Sequence, residues 1–150
     1  MEIVKKVLIL VALGVSLMAN DIIIKKSGCS VGKTIENIKH ILDKKGLSVF
    51  KVVNHQKNAS SVDMKMNESK LIIFGNPKLG TSLMKQDMTI GLDLPMKILV
   101  YKDKNNQVQM AFRNGTWLAN EHSISIAKKE NKINGAMNKI TSKAGQCKKD

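Results

Sequence analysis

The stretch LIIFGNPKLGTSLMKQDMTIGLDLPMKILVY, residues 71–101, decides the fold of this chain. It contains two apolar runs, 71–74 and 96–101, each with the length and composition of a buried strand. Gly75-Asn76-Pro77 ends the first run, and residues 78–91 carry turn signals with one helical turn predicted at 82–85. Two core strands joined by such an irregular connection predict a sheet in which the connecting segment forms a loop with a specific conformation.

Working outward from this stretch, the rest of the chain supplies the other elements of an α+β domain. The predicted elements are a strand over 21–26, a helix from an N-cap at Ser30 to about Lys45, a strand over 47–53, a short edge strand over 62–66, a turn over 103–107, a strand over 108–112, a helical segment over 117–121, and a closing amphipathic helix carrying Ile126, Ile133, Met137 and Ile140. Gly46 stands where a helix usually ends in a left-handed residue. The predicted fold is two-layered, with an antiparallel sheet, helices on one face and β-α-β4-α order.

Residues 1–19 have the pattern of a cleaved signal peptide. Lys5 and Lys6 precede an apolar core that is too short to span a bilayer, and Ala19 suits the position before the cut. The predicted organisation is a signal peptide over 1–19, one domain over 20–142 and a basic tail over 143–150. We therefore expect an exported protein, periplasmic or secreted, without a membrane span after signal removal.

The formal net charge of +13 comes almost entirely from lysine, since Arg113 is the only arginine. Nucleic-acid binders usually combine arginine forks with stacking aromatic residues, and this chain has few aromatic residues and no cluster of them. The composition argues against a nucleic-acid partner and favours attraction to an anionic membrane surface or an acidic partner.

Cys29 and Cys147 lie near the two ends of the mature chain. An oxidising compartment favours a disulfide between them, whereas a frayed tail would keep the thiols apart. The sequence leaves both alternatives open, because it does not give the separation of the two Cα atoms.

The motifs in this chain that could carry chemistry are weak. Residues 27–34 follow a strand and open a helix, but Ser27 stands where a phosphate-binding loop needs its first glycine, so we interpret the segment as a capped helix start. Met64 and Met66 would point to one face of a strand and are weak candidates for a Cu(I) site. No hydrolase signature is present.

The central motifs resemble the family catalogued as domain of unknown function 302. The motifs that carry the resemblance are Phe74–Met84 and Gly91–Tyr101, with Ser30-Val31 and Thr34, Lys45–Phe50, Val53-Asn54-His55 with Ala59, and Trp117-Leu118-Ala119 with His122. The resemblance implies a small dimeric α+β fold and no established activity. It favours His55 and His122 as site residues over His40. Asn54 stands where the family usually has Asp, and Cys29 is not a motif residue.

We therefore expect an exported, dimeric small-ligand-binding or accessory protein rather than an enzyme. The candidate ligand-binding residues are His55, Asn76, Asp93 and His122, near the two glycine-proline loops. One alternative is a haem- or metal-binding redox protein that uses His55 or His122. Another is an enzyme of unknown reaction with His55 as general base. The sequence indicates neither a cofactor nor the identity of a small ligand or periplasmic protein partner.

Overall fold

The computed structural model describes residues 21–122, 124 and 127–147 of the chain, so the predicted signal peptide and Ile126 lie outside the described residues. The strands are β1 Ile23–Lys26, β2 Ser48–Asn54, β3 Ser69–Gly75, β4 Met96–Lys102 and β5 Val108–Phe112. The helices are α1 Val31–Lys44, α2 His55–Ser60, α3 Pro77–Met84, α4 Gly115–His122 and α5 Ala127–Ala144, with a 3-10 helix at Met88–Leu92. No helix within these described ranges is long and apolar enough to cross a membrane.

The strands form one antiparallel sheet in the order β1-β5-β4-β3-β2. The predicted α+β class with an antiparallel sheet is confirmed. β1 and β2 lie at the two edges, although they are adjacent strands in the chain. The stretch 71–101 supplies the two neighbouring strands β3 and β4, whose register pairs Phe74 with Met96 and Ser69 with Tyr101.

One face of the sheet carries the main hydrophobic core. Alternate residues of the three central strands, such as Ile72, Ile98 and Met110, are buried against α1 and α5. α1 presents Val31, Ile35, Ile38 and Leu42 to this core, which is the apolar stripe that the sequence predicts.

The intervening residues of the strands point to the opposite side, which we call the open face. Its central row crosses all five strands in register and consists of Ile24, Ala111, Leu99, Leu71 and Val53. Ile24 is 52% exposed, so this row forms an apolar surface that α1 and α5 do not cover.

The capping of α1 follows the prediction. The Ser30 side chain accepts a hydrogen bond from the backbone N–H of Lys33, and Gly46 has a φ of 62° just beyond the helix. Both ends of α1 are thus determined by local sequence.

The connections around β3 differ from the prediction. Residues 62–66 do not form the predicted edge strand. Asn54 caps α2, and the chain leaves this helix through turns and an irregular segment over these residues. The helical turn predicted at 82–85 is the end of a longer helix, because α3 begins at Pro77. The Asn76 side chain caps α3 and Pro77 occupies its first turn, while Asp87 caps the 3-10 helix, so two helices fill the crossover.

The two cysteines form a disulfide with a Cα–Cα distance of 5.3 Å. It ties the turn before α1 to the segment that follows α5. α5 itself extends to Ala144, past the predicted domain boundary at residue 142. The sequence leaves open the alternative of two separate thiols, and the structure has the disulfide instead.

Candidate functional site

A pocket of about 270 Å³ lies where the open face meets α4. Strand alternation brings Leu71, Leu99 and Ala111 into its wall, and the end of β5 leads directly into α4. The complete lining is Ile22, Leu71, Asp93, Met96, Lys97, Leu99, Ala111, Phe112, Arg113, Asn114, Trp117 and Leu118. The lining is therefore apolar except for a few polar side chains, which is the usual composition of a ligand site.

The only arginine and the only tryptophan of the chain meet at this pocket. The Arg113 guanidinium carbon lies 4.2 Å from the centre of the Trp117 ring, which is a cation–π arrangement. Within the described ranges, no carboxylate forms an ion pair with Arg113. The stacking orients the guanidinium and leaves its donors available to an anion.

Lys97 contributes a second cation to the same pocket. Its Nζ donates to the backbone carbonyls of Asp93 at 2.9 Å and of Pro95 at 2.8 Å. Burial lowers the pKa of Lys97; the negative charge of Asp93 opposes this shift, and the positive charge of Arg113 adds to it. Two cations thus repel each other inside one pocket, and a bound anion would relieve that repulsion.

Asp93 and His122 form a hydrogen-bonded pair beside the pocket. The His122 Nε2 lies 2.7 Å from Asp93 Oδ2, and the His122 side chain is only 9% exposed. Because a carboxylate only accepts hydrogen bonds, Nε2 carries a proton and donates a hydrogen bond to Asp93. The pair joins the end of α4 to the loop before β4.

The other ring nitrogen of His122 faces two oxygen atoms. Nδ1 lies 3.3 Å from Thr89 Oγ1 and 3.6 Å from Asp87 Oδ2. The Thr89 hydroxyl donates to Asp87 Oδ1 at 2.7 Å, and the Thr89 N–H also donates to that carboxylate. These bonds, together with the nearby His122, lower the pKa of Asp87.

The line Thr89–His122–Asp93 has the order hydroxyl, imidazole, carboxylate that is found in nucleophilic enzymes. Here the hydroxyl proton is directed to Asp87 rather than to the imidazole, so the ring does not activate the Thr89 oxygen. The cluster therefore serves best to hold the loop before β4 against the end of α4, next to the pocket.

The structure brings together two of the four residues that the sequence singles out. Asp93 and His122 are in contact. His55 begins α2 directly after Asn54, and Asn54 pairs with Lys70 near the start of β3. Asp93 precedes Met96, which pairs with Phe74 near the end of β3. His55 thus lies at the opposite end of the sheet from Asp93. Antiparallel register places it there, and sequence proximity to a motif does not reveal this.

Asn76 has a structural role in this arrangement. Its Oδ1 accepts from the backbone N–H groups of Lys78 at 3.0 Å and Leu79 at 3.2 Å, which caps α3. It also lines a second pocket of about 250 Å³ between α3, the loop before β4 and the exposed Phe50. That pocket is almost entirely apolar and contains no charged side chain.

Sequence reasoning misses Lys97, Arg113 and Trp117. The available signal is compositional, because a single arginine four residues before a single tryptophan is unusual in a lysine-rich chain. Only the fold, however, shows that Lys97 and Arg113 lie in one pocket.

The strand predicted to align Met64 and Met66 is not formed. Met64 and Met66 lie on an irregular, exposed segment rather than on one face of a strand. In the part of the chain that the structure describes, no three His, Cys, Asp or Glu side chains are grouped so that they could hold a metal ion.

The chain is thus an α+β domain with a five-stranded antiparallel sheet and a pocket that combines apolar and cationic side chains. The family model described as Domain of unknown function DUF302 matches residues 23–140, and the chain belongs to this family. The crystal structure of an uncharacterized conserved DUF302 protein from Bacillus stearothermophilus has the same fold. Its TM-score is 0.68 at 16% identity, over 85% of this chain and 97% of that chain.

Longer curated proteins also contain a similar region. Fluoride-specific ion channel FluC 1 of Brucella suis is 35% identical over 112 residues, which are 75% of this chain and 44% of that protein. Fluoride-specific ion channel FluC 2 of Brucella melitensis has the same identity over the same length, which is 42% of that protein. The chain spans less than half the length of these relatives.

Proposed function

We propose that this protein is an exported, dimeric binding domain that holds a small organic anion in the pocket between the open face and α4. The observation that carries this proposal is the pairing of Arg113, stacked on Trp117, with Lys97 above an apolar wall. Guanidinium and ammonium groups favour a carboxylate or a phosphate, and the wall favours a short apolar tail.

Charge supports an anion rather than a neutral ligand. Lys97 already donates to two backbone carbonyls, which leaves one of its three N–H groups for a ligand. Arg113 lies close enough to depress the pKa of Lys97. An anion bound between them would therefore be attracted by both groups. The volume of about 270 Å³ limits the ligand to a small molecule.

Two observations support export. Residues 1–19 have a signal-peptide pattern, and disulfides such as Cys29–Cys147 persist mainly in oxidising compartments. The disulfide and the N-terminal pattern involve different residues, so each supports export separately.

The Brucella relatives support an accessory role. A region similar to this chain is part of longer proteins that are named fluoride-specific ion channels. A domain joined to a longer protein is suited to act on that protein's behalf, for instance by binding a small anion beside it.

The geometry favours the two alternatives less. A haem or metal ligated by His122 would have to displace Asp93 from Nε2 or compete with Thr89 and Asp87 at Nδ1. An enzyme with His55 as general base would act at the end of the sheet away from the Asp93–His122 pair. Neither alternative uses the arginine-tryptophan pocket.

Calorimetric titration with acetate, butyrate, hexanoate, hexyl phosphate and neutral hexanol tests the proposal. We expect affinity to rise with tail length up to the capacity of the pocket, and hexanoate or hexyl phosphate to bind more tightly than hexanol. Arg113→Gln should weaken anion binding about tenfold or more, since it removes charge-assisted hydrogen bonds. Binding should also raise the pKa of Lys97, measured by NMR.

Lys139→Gln is the matched control, because it removes one positive charge from an exposed position of α5, the helix packed on the other face of the sheet. Its affinity should equal that of the unmodified protein. Equal affinity for hexanol and hexanoate, or equal losses in the two variants, would contradict the proposed anion site.

A further inference from the structure

The segment after α2 carries a group of exposed apolar side chains. It lies at the end of the sheet opposite the Asp93–His122 pair. Val62, Met64 and Met66 are 64%, 65% and 44% exposed, and we call these three side chains the methionine surface. A contiguous patch of exposed apolar side chains often marks an interaction site. None of them contributes to either pocket described above.

The segment that carries the methionine surface is fastened at both ends. The Met64 N–H donates to the Ala59 carbonyl at 3.0 Å, which ties the segment to α2. The Asn67 side chain donates to the carbonyl of Asp103 at 3.1 Å, and the Lys102 N–H donates to the Glu68 carbonyl at 2.9 Å. The apolar side chains are therefore presented by an ordered backbone beside the turn between β4 and β5.

Four lysines lie on the segment or on the parts of the chain that are hydrogen-bonded to it. They are Lys57, Lys65, Lys102 and Lys104. Within the described ranges, none of these four forms an ion pair with a carboxylate.

The acidic groups nearby are mostly engaged elsewhere. Glu68 lies 3.5 Å from the Nζ of Lys70. The Asp103 carboxylate accepts from Asn105, Gln107 and Gln109. Asp63 is exposed on the same segment. The segment and its neighbours thus combine exposed apolar side chains with four lysines and this one exposed acid.

We propose that the methionine surface docks on an anionic phospholipid bilayer. Lysines close to an anionic surface are attracted to the headgroups, and exposed apolar side chains enter the boundary between headgroups and acyl chains. Methionine adapts to an irregular apolar environment because its side chain is unbranched and flexible. The overall charge of +13 attracts the whole molecule to the same surface.

Docking at this end orients the molecule. Residues 62–66 precede Ser69, which pairs with Tyr101, whereas Asp93 precedes Met96, which pairs with Phe74 at the other end of β3. The arginine-tryptophan pocket would therefore face away from the bilayer. The docking proposal does not depend on what that pocket binds.

Co-sedimentation with vesicles tests the proposal, using phosphatidylglycerol in phosphatidylcholine and phosphatidylcholine alone. We expect binding to the anionic vesicles only, falling with added salt. The double variant Met64→Ser/Met66→Ser should reduce partitioning about tenfold, since it removes two apolar side chains from the boundary. Lys65→Gln/Lys104→Gln should reduce binding and make it less sensitive to salt.

Met88→Ser/Leu92→Ser is the matched control, because these side chains are 75% and 83% exposed on the 3-10 helix, near the other end of the sheet. All variants are prepared as the mature protein without residues 1–19, so the apolar leader does not bind the vesicles and differences report on the substituted surface. Equal binding to neutral vesicles, no binding to anionic vesicles, or an equal loss in the control variant would each overturn the proposal. An unchanged circular dichroism spectrum establishes that each variant is folded.

Discussion

At the scale of single residues, Asp87 shows how one side chain responds to the site around it. The Thr89 hydroxyl and N–H are the main cause of its lowered pKa, and His122 contributes less. We therefore expect Thr89→Val to raise the pKa of Asp87 toward the ordinary value of 3.8, and to raise it more than His122→Asn does. Carboxyl carbon NMR over an acid titration measures both shifts.

The sign of the effect on stability follows from the depressed pKa. The contribution of Asp87 to folding is complete above the ordinary value of 3.8 and is lost as the pH falls through the lower folded value. Thr89→Val should thus make urea unfolding less sensitive to pH in this acidic window. Asp103 is the internal control, because its pKa is lowered mainly by Gln109, and its titration should not change. A larger shift in His122→Asn than in Thr89→Val would disprove the assigned order of causes.

At the scale of elements, the disulfide joins the beginning of α1 to the end of α5. Its partners are 118 residues apart in sequence, so the bond removes much of the conformational freedom of the unfolded chain. We expect Cys29→Ala/Cys147→Ala to lower the free energy of unfolding by about 2 to 5 kcal/mol. Urea denaturation followed by circular dichroism measures this difference.

The reduced, unsubstituted protein separates the crosslink from the packing of the side chains. Cys29 is buried, so its replacement also removes packing that reduction leaves in place. Cys147→Ala should unfold at the same urea concentration as the reduced protein. If the reduced and oxidised proteins unfold together, the disulfide is not a source of stability.

At the scale of the whole molecule, the open face supports the proposed homodimer. Its central row is apolar on all five strands, and a second copy covering it would also enclose the pocket beside α4. We expect Ile24→Glu to shift the protein from dimer to monomer, because it places a charge in a contact that dimerisation would desolvate. Sedimentation equilibrium at micromolar concentration measures the change.

Val62→Glu is the matched control, because Val62 is 64% exposed but does not belong to the open face. This variant should remain dimeric. A monomeric unsubstituted protein, or dissociation of both variants, would exclude the open face as the dimer contact.

Much of this architecture is local in origin and can be predicted from the amino-acid sequence. The start of α1 at Ser30, the left-handed Gly46 and the two buried strands of the 71–101 stretch depend on neighbouring residues. Such features follow from capping, glycine geometry and apolar periodicity. The crossover helices are harder to predict, because the same glycines and prolines are compatible with turns.

The candidate site, in contrast, is decided by the tertiary structure. Asp93 and His122 meet, and His55 does not join them, because antiparallel register puts the C-terminal end of β2, where His55 follows Asn54, and the loop before β4 at opposite ends of the sheet. Arg113, Lys97 and the apolar wall converge only when β3, β4 and β5 pair. Local sequence determines where elements begin and end, whereas contacts between distant residues depend on the packing free energy of the whole chain.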